Sequence, residues 1–489
     1  MENDMERCHV VYDVLKTHIQ FGVYHSGDVL PTMENNTENF LVSLDTIRSA
    51  YLRLEREGYV TLSQNVGSTV IKNYSQQDIE QNVQLFFSLR KSALIDLSKS
   101  LNPLFTNAQW ISLKHAPEEI YRNMMELKTS HGLQPLIAFN HMIQAYDSLG
   151  NDLLTRLLWQ VYMFFEAPFL CVPNNPWCDF AVNEFSPLSL EFCLKKDWAS
   201  LRKLICRAQD YLSDSLCRFY EARITLPSQE ELPFTWNSYK KASQICYSLA
   251  MDLLTDISLG RYPVDTLLPS LNKLSRERHV SVSTARRTIA LLNGVGAVKS
   301  VKCVGTRVLP FHETASNCDF TNPVVRRRLL DMAQSLQILT LSCKAVAEIT
   351  ISSMDTAKIQ KSIELLTTME ARQMYQPITY DVLDLLRQFA PRQAIRTVYS
   401  ELLKQLFWGY GLRSTWKEGD EQSAFHFSYY KILLQSLKER DAIRFSGKLE
   451  ELLIHEFRII IHKLVELGIA EAERLLIPGL PENALSLEN

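Results

Sequence analysis

The sequence predicts a mainly α-helical chain built on one plan written twice: a three-helix segment closed by a two-stranded ribbon, then an all-α bundle, then both again. Two observations predict it. Residues from Gly22 to Val70 recur 238 positions later without a gap: Gly22, Tyr24, Leu30, Pro31, Ser43, Thr46, Arg48, Gly58, Gly67 and Val70 meet the same residue types at Gly260, Tyr262, Leu268, Pro269, Ser281, Thr284, Arg286, Gly296, Gly305 and Val308. A repeat of this kind bounds the fold before any local reading does. Behind each copy lies a long stretch with helical apolar periodicity and little glycine. At 489 residues the chain exceeds one ordinary core, and about three or four domains are expected.

Each element of the repeat has a local cause. An amphipathic first helix, about 7–21 in one copy and 242–259 in the other, ends at Gly22 or Gly260, which can take the left-handed cap conformation. The Leu-Pro dipeptide after it is extended, because the residue before a proline is pushed out of the helical region. After a second helix, Ser43 or Ser281 is a good N-cap for a third. That helix carries Ile47, Tyr51 and Leu54, or Ala285, Ile289 and Leu292, at helical spacing. Gly58 or Gly296 then turns the chain into two short β-prone runs ending in G-S-T-V or G-T-R-V. This is the plan of a winged helix-turn-helix. The expected domains are winged helices at 1–73 and 236–310 and helical bundles at 74–235 and 311–489. The bundles are related more loosely: Leu194-Lys195 before Asp197 resembles Leu437-Lys438 before Asp441, with the two Asp at an offset of 244.

Bulk properties narrow the function. Met1 to Arg7 is acidic and polar with no apolar run behind it, so no secretory leader is expected. The most apolar segment, Leu153 to Val172, is interrupted by Arg156 and Glu166, which argues against a membrane span. The ten cysteines form no C-x-x-C pair and read as reduced thiols in a cytoplasmic protein. A formal charge of -3 excludes a generally basic coat but not a local basic patch.

The residues that carry the repeat resemble a known family. The pattern G-x-Y, L-P, V-S-x-x-T-x-R, G-x-V, G-(S/T)-x-V is similar to the DNA-binding domain of GntR-type bacterial transcriptional regulators, and both copies have it. The helical segments resemble the FCD subclass, on Phe139-Asn140-His141 followed by Leu149-Gly150-Asn151-Asp152-Leu153-Leu154. The resemblance implies a double-stranded DNA operator as partner, a small-molecule effector in a helical domain, and two-fold pairing, here as a homodimer or as an intramolecular pseudo-dimer. Three positions depart from the family pattern. Leu44 and Val282 replace the arginine after the V-S serine, Asn35 and Lys273 replace the arginine of the second helix, and Asn65 and Cys303 replace the first wing glycine.

DNA contact of this kind draws affinity from Lys and Arg on phosphates and specificity from the N-terminal part of the recognition helix. In the second copy Lys273, Arg276, Arg278, Arg286, Arg287, Lys299, Lys302 and Arg307 stand against one acid, Glu277. Ser281, Ser283 and Thr284 supply hydroxyls at the exposed first turn, and Gly305 shapes the wing. In the first copy the matching set is Ser43, Thr46, Arg48, Asn65 and Gly67, and its cations are offset by Glu34, Glu38, Asp45, Glu55 and Glu57. The first copy is therefore expected to bind DNA more weakly than the second.

The bundles assign less. The resemblance implies a metal held by Asp and His, but its places fall on Ile137, Ser186, Tyr430, Ala208 and Leu452, with only His141 near position, so neither metal nor cofactor is expected. His455 and His462, seven apart on one helix, are the remaining metal suspects, and ordinary packing is the simpler reading of both. Trp159 to Leu170, with Glu166 inside it, reads as the wall of an effector site or as bundle core. No G-x-x-x-x-G-K-(S/T), G-x-S-x-G or H-E-x-x-H motif occurs, and no enzymatic activity is expected. The rival reading is a regulator that has given up DNA and serves as a protein-interaction module.

Overall fold

The computed structural model describes the chain outside residues 1, 41, 64–66, 127–133, 173–174, 228–229, 240–243, 259, 372–377, 414–419 and 480–489. By contacts it divides into two compact units. One comprises Met1–Ser148, Thr155–Phe234 and Arg392–Ala394; the other comprises Leu149–Leu154, Thr235–Pro391 and Ile395–Asn489. No helix of the described residues is long and apolar enough to cross a membrane.

The first unit opens with a winged helix. Helices α1 (Glu2–Gln20), α2 (Met33–Phe40) and α3 (Leu44–Arg56) precede strands β1 (Val60–Ser63) and β2 (Gly67–Val70). The strands pair antiparallel with Val60 opposite Val70. Ser43 caps α3 from an extended conformation, its hydroxyl accepting from the Thr46 amide. The buried face of α3 carries Ile47, Ala50, Tyr51 and Leu54, and α3 packs on α1, whose Val11, Val14 and Leu15 are buried. Full burial of an Ile or Leu side chain contributes about 1.5–3 kcal/mol. The Leu-Pro segment runs beside the ribbon: the Leu30 amide donates to the Ser68 carbonyl, and Val29 bridges Thr69.

Behind it come α4 (Gln76–Ser88), α5 (Lys91–Ser98), α6 (Leu101–His115), α7 (Glu118–Glu126), α8 (Gln134–Tyr146), α9 (Asp152–Val161), α10 (Ala167–Leu170), α11 (Pro176–Phe180), α12 (Ser186–Lys195) and α13 (Trp198–Arg223). Two π-turns interrupt this run, Tyr162–Glu166 and Ala181–Phe185. Both have the same cause. Pro168 and Pro187 lack the N–H that an α-helix requires, so the ladder slips by one residue. The amides of Ala167 and Ser186 then donate five residues back, to Tyr162 and Ala181.

The second unit contains α14 (Ile245–Ser258), α15 (Leu271–Glu277), α16 (Val282–Gly294), β3 (Val298–Val301) and β4 (Gly305–Val308). From Leu271 onward each of these elements begins 238 positions after its counterpart, and Ser281 caps α16 with the same backbone angles as Ser43 caps α3. The first helices start and end a few residues away from the expected spans, at Glu2–Gln20 and Ile245–Ser258. This central segment is seated firmly on the chain just C-terminal to it. A Cβ at Gly296 would lie 2.2 Å from the Thr314 carbonyl oxygen, at a φ of +76° that also favours glycine. The Asp319 amide donates to the Gly294 carbonyl.

The remaining helices are α17 (Thr314–Asn317), α18 (Pro323–Ser353), α19 (Thr356–Ala371), α20 (Ile378–Phe389), α21 (Gln393–Gln405), α22 (Tyr410–Arg413), α23 (Asp420–Glu439) and α24 (Ala442–Glu466). Helix α18 is buried along most of its length and packs on α24. The segment leading into the central segment is fixed by a buried polar network. Glu401 accepts from the Ser238 amide, the Tyr239 hydroxyl donates to Asp331 and lies 3.0 Å from Gln405 Oε1, and Trp408 donates to Tyr239. Hydrogen bonds made in a buried setting of this kind favour one geometry. The two bundles also share a detail: Lys196 and Arg440 take left-handed angles, and Asp197 and Asp441 then cap α13 and α24.

Candidate nucleic-acid interface

The candidate interface is built on the first turn of α16. Ser281 leaves the remaining amides of that turn without helical acceptors, which with the helix dipole makes a positive end. Its Oγ accepts from the Thr284 amide at 3.0 Å and lies 2.7 Å from Ser283 Oγ and 2.8 Å from Thr284 Oγ1. Ser281 and Ser283 are exposed. Three hydroxyls and free amides on one turn form a hydrogen-bonding surface suited to phosphates or base edges.

One turn on, Arg286 and Arg287 are exposed. Arg276, Arg286, Lys299 and Lys302 carry no ion pair among the described residues. Three other cations of the patch do, which corrects the expectation of one opposing acid. Lys273 pairs with Glu277 at 3.7 Å, but Arg307 pairs with Asp265 at 3.4 Å and Arg278 pairs with Asp256 at 2.9 Å. Asp256 is nearly buried in the last turn of α14 and also holds Arg261 at 2.7 Å. Arg278 is thus a clamp within the fold, and its charge is largely spent there. The wing beside α16 is braced by Asn293, which exchanges hydrogen bonds with Ser300 at 2.9 Å. Gly305 has a φ of +131°, and Cys303 at the wing tip is exposed at +63°.

The same positions in the N-terminal winged helix are arranged differently. Asp45 stands where the central segment has Ser283, exposed on the first turn of α3, and pairs with Arg48 at 3.5 Å. A carboxylate at that place repels phosphate and neutralises the cation meant to meet it. Thr46, expected on the DNA face, is 2% exposed, and this burial takes it off that face. Helix α2 packs against α8 of the bundle, and its Asn36 and Phe40 are buried. Arg53 is tied to Glu57 at 3.0 Å and lies over the Tyr12 ring. Ser43, Arg48 and Gly67 are exposed; Asn65 and the side chain of His141 lie outside the described residues.

No group of three or more His, Cys, Asp or Glu placed for a metal occurs among the described residues. His455 packs on the Phe425 ring at 4.3 Å, and His462 is exposed. His426 is buried against Glu456 at 3.1 Å. The sequence does not disclose the role of Asp256, whose partner Arg278 lies 22 residues away, and no spacing rule reaches that far.

Residues 9–70 match the family model for bacterial regulatory proteins of the gntR family. The match falls on the N-terminal winged helix, although the central segment is the one with free cations. Among solved structures, the chain is similar to Streptococcus agalactiae GntR, at 14% identity over 44% of this chain and 99% of that one, with a TM-score of 0.22. It is similar to E. coli McbR/YncC, at 16% identity over 44% and 98%, with a TM-score of 0.24. A GntR-family transcriptional regulator from Pseudomonas syringae gives 16% identity over 47% and 91%, with a TM-score of 0.20. No curated protein matches.

Proposed function

Because residues 9–70 form a gntR-family DNA-binding domain, we propose that this chain is a sequence-specific, DNA-binding transcription regulator whose base reading is concentrated in the central segment, 236–310. It acts in the cytoplasm as a single-chain pseudo-dimer with two unequal readers on an asymmetric or pseudo-palindromic operator, and it responds to a small ligand in a helical domain. The observation that carries this reading is the contrast between two otherwise matched helix caps. One presents Ser281, Ser283 and an unpaired Arg286; the other presents Ser43, Asp45 and a neutralised Arg48.

The N-terminal winged helix has a second reading, favoured by the burial of Thr46 and the packing of α2 on α8: it serves as a protein-docking module. One experiment separates the two. The purified chain selects sequences from a random DNA pool, and the selection is repeated with Arg286→Ala/Arg287→Ala and with Arg48→Ala. An enriched motif lost only in the double variant supports a central reader. A motif lost equally in both variants sinks that assignment, and no motif under any condition leaves the docking reading for the whole chain.

A further inference from the structure

The first helical bundle encloses a cavity of about 90 Å³ whose wall is aromatic and aliphatic, including Phe105, Phe139, Trp177 and Phe185. Among the described residues, three hydrogen-bonding side chains besides Tyr146 and the Trp177 indole reach it: Glu166, Gln109 and Gln209. The two π-turns aim their last residues, Glu166 and Phe185, at this space. The register slip caused by Pro168 and Pro187 is therefore what shapes the site, a frequent use of such turns.

The polar groups do not satisfy one another. Gln209 donates weakly to Gln109 at 3.4 Å, and its own Oε1 is buried without a partner. Glu166 is half-buried and lines the cavity. No Lys, Arg or His lines the wall among the described residues. Burial alone pushes the Glu166 carboxyl up to about 7. The nearest ionisable neighbours, Tyr146 and Tyr162, are themselves held neutral by burial.

We propose that this cavity binds a small primary ammonium ion with a short apolar tail, the ammonium on Glu166 and Gln209 Oε1 and the tail against the aromatic wall. A carboxylate ligand fits poorly, because it would be buried beside Glu166 with no cation to meet it. An ammonium gains an ion pair, an unsatisfied amide oxygen and ring faces that attract cations. A cavity of 150 Å³ accommodates benzene, so this one holds about four non-hydrogen atoms. Binding converts the neutral Glu166 carboxylic acid to its carboxylate, paired with R–NH₃⁺, and the carboxyl proton passes to solvent. The inference rests on the ligand-responsive reading only for its purpose; the binding itself is independent of DNA.

The test is calorimetric titration of the full chain with n-propylammonium chloride at pH 6, without DNA, in buffers of different ionisation enthalpy. A ligand of this size is held no tighter than roughly tens of micromolar, which sets the concentrations. The expected result is saturable binding with release of about 0.9 proton per site. Glu166→Gln should weaken binding at least tenfold and abolish the release. Ala208→Leu, which fills the cavity without touching the carboxyl, should remove binding as well. Binding without proton release, equal binding by E166Q, tighter binding of propionate, or no binding at millimolar propylammonium each overturns the proposal. If propylammonium binds as expected while operator affinity does not move, the site stands and only the ligand-responsive reading falls.

Discussion

Removing Arg286 and Arg287 together should change not only how tightly the chain holds DNA but how steeply that grip depends on salt. Each phosphate neutralised by a cation contributes about 0.9 to the slope of log K against log salt. Arg286 is exposed and has no ion pair among the described residues, and Arg287 is exposed beside it. If both reach phosphates, Arg286→Ala/Arg287→Ala lowers the slope by about 1.8, so that between 50 and 200 mM salt the parent loses about twelvefold more affinity than the variant. Arg48 lies 3.5 Å from Asp45, so Arg48→Ala should change the slope by much less than one full contact. The assay is fluorescence anisotropy on a selected operator across a salt series, with far-ultraviolet dichroism as a check on folding. Equal slope changes from the two variants, or no change from the double variant, would refute the assignment of DNA contact to α16.

Three further outcomes rest on the same kind of geometry. Asp45→Ser, which gives the N-terminal cap the residue found at Ser283, should free Arg48 and steepen the salt slope by up to about 0.9 in the same assay. Gly58→Ala should cost about 1–2 kcal/mol for its left-handed backbone, whereas Gly296→Ala should cost clearly more, because the new Cβ also meets the Thr314 carbonyl; urea unfolding of both variants that gave equal losses would remove that contact from the account. His18 is buried with Nδ1 unpartnered, and burial lowers its pKa to about 4. The unfolded chain therefore binds more protons between pH 6.5 and 4. The contribution is whole above that window and lost as pH falls through it, by about 1.4 kcal/mol per unit, and unfolding of His18→Gln should show a flatter acid limb.

Much of the architecture is readable because its causes are local. Ser43 and Ser281 announce helix starts by their own side chains, Gly22 and Gly260 announce stops, and a constant offset aligns two copies whatever their surroundings. The charges are less readable because their fate is decided across space. Arg278 counts as a free cation in sequence, but the packing of α14 brings Asp256 to it. Thr46 and Thr284 hold equivalent positions, yet Thr46 is buried and its counterpart is not. The cavity is legible only in part: Glu166 stands out in an apolar run, but its direction depends on a one-residue slip that Pro168 enforces and that no periodicity reports.

The close approach at Gly296 bears on how such a chain could be rearranged. Around Gly58 there is open space, so a seam at that turn tolerates other neighbours, while α2 on α8 and the close approach of Gly22 to Ile79 still tie the N-terminal segment to its bundle. The central segment offers no such seam: its turn is moulded to the Thr314 carbonyl and its helix end to Asp319. A chimaera that imports a foreign 236–310 must import 311–322 with it, and the natural unit of exchange in the second half runs past the wing and into the bundle.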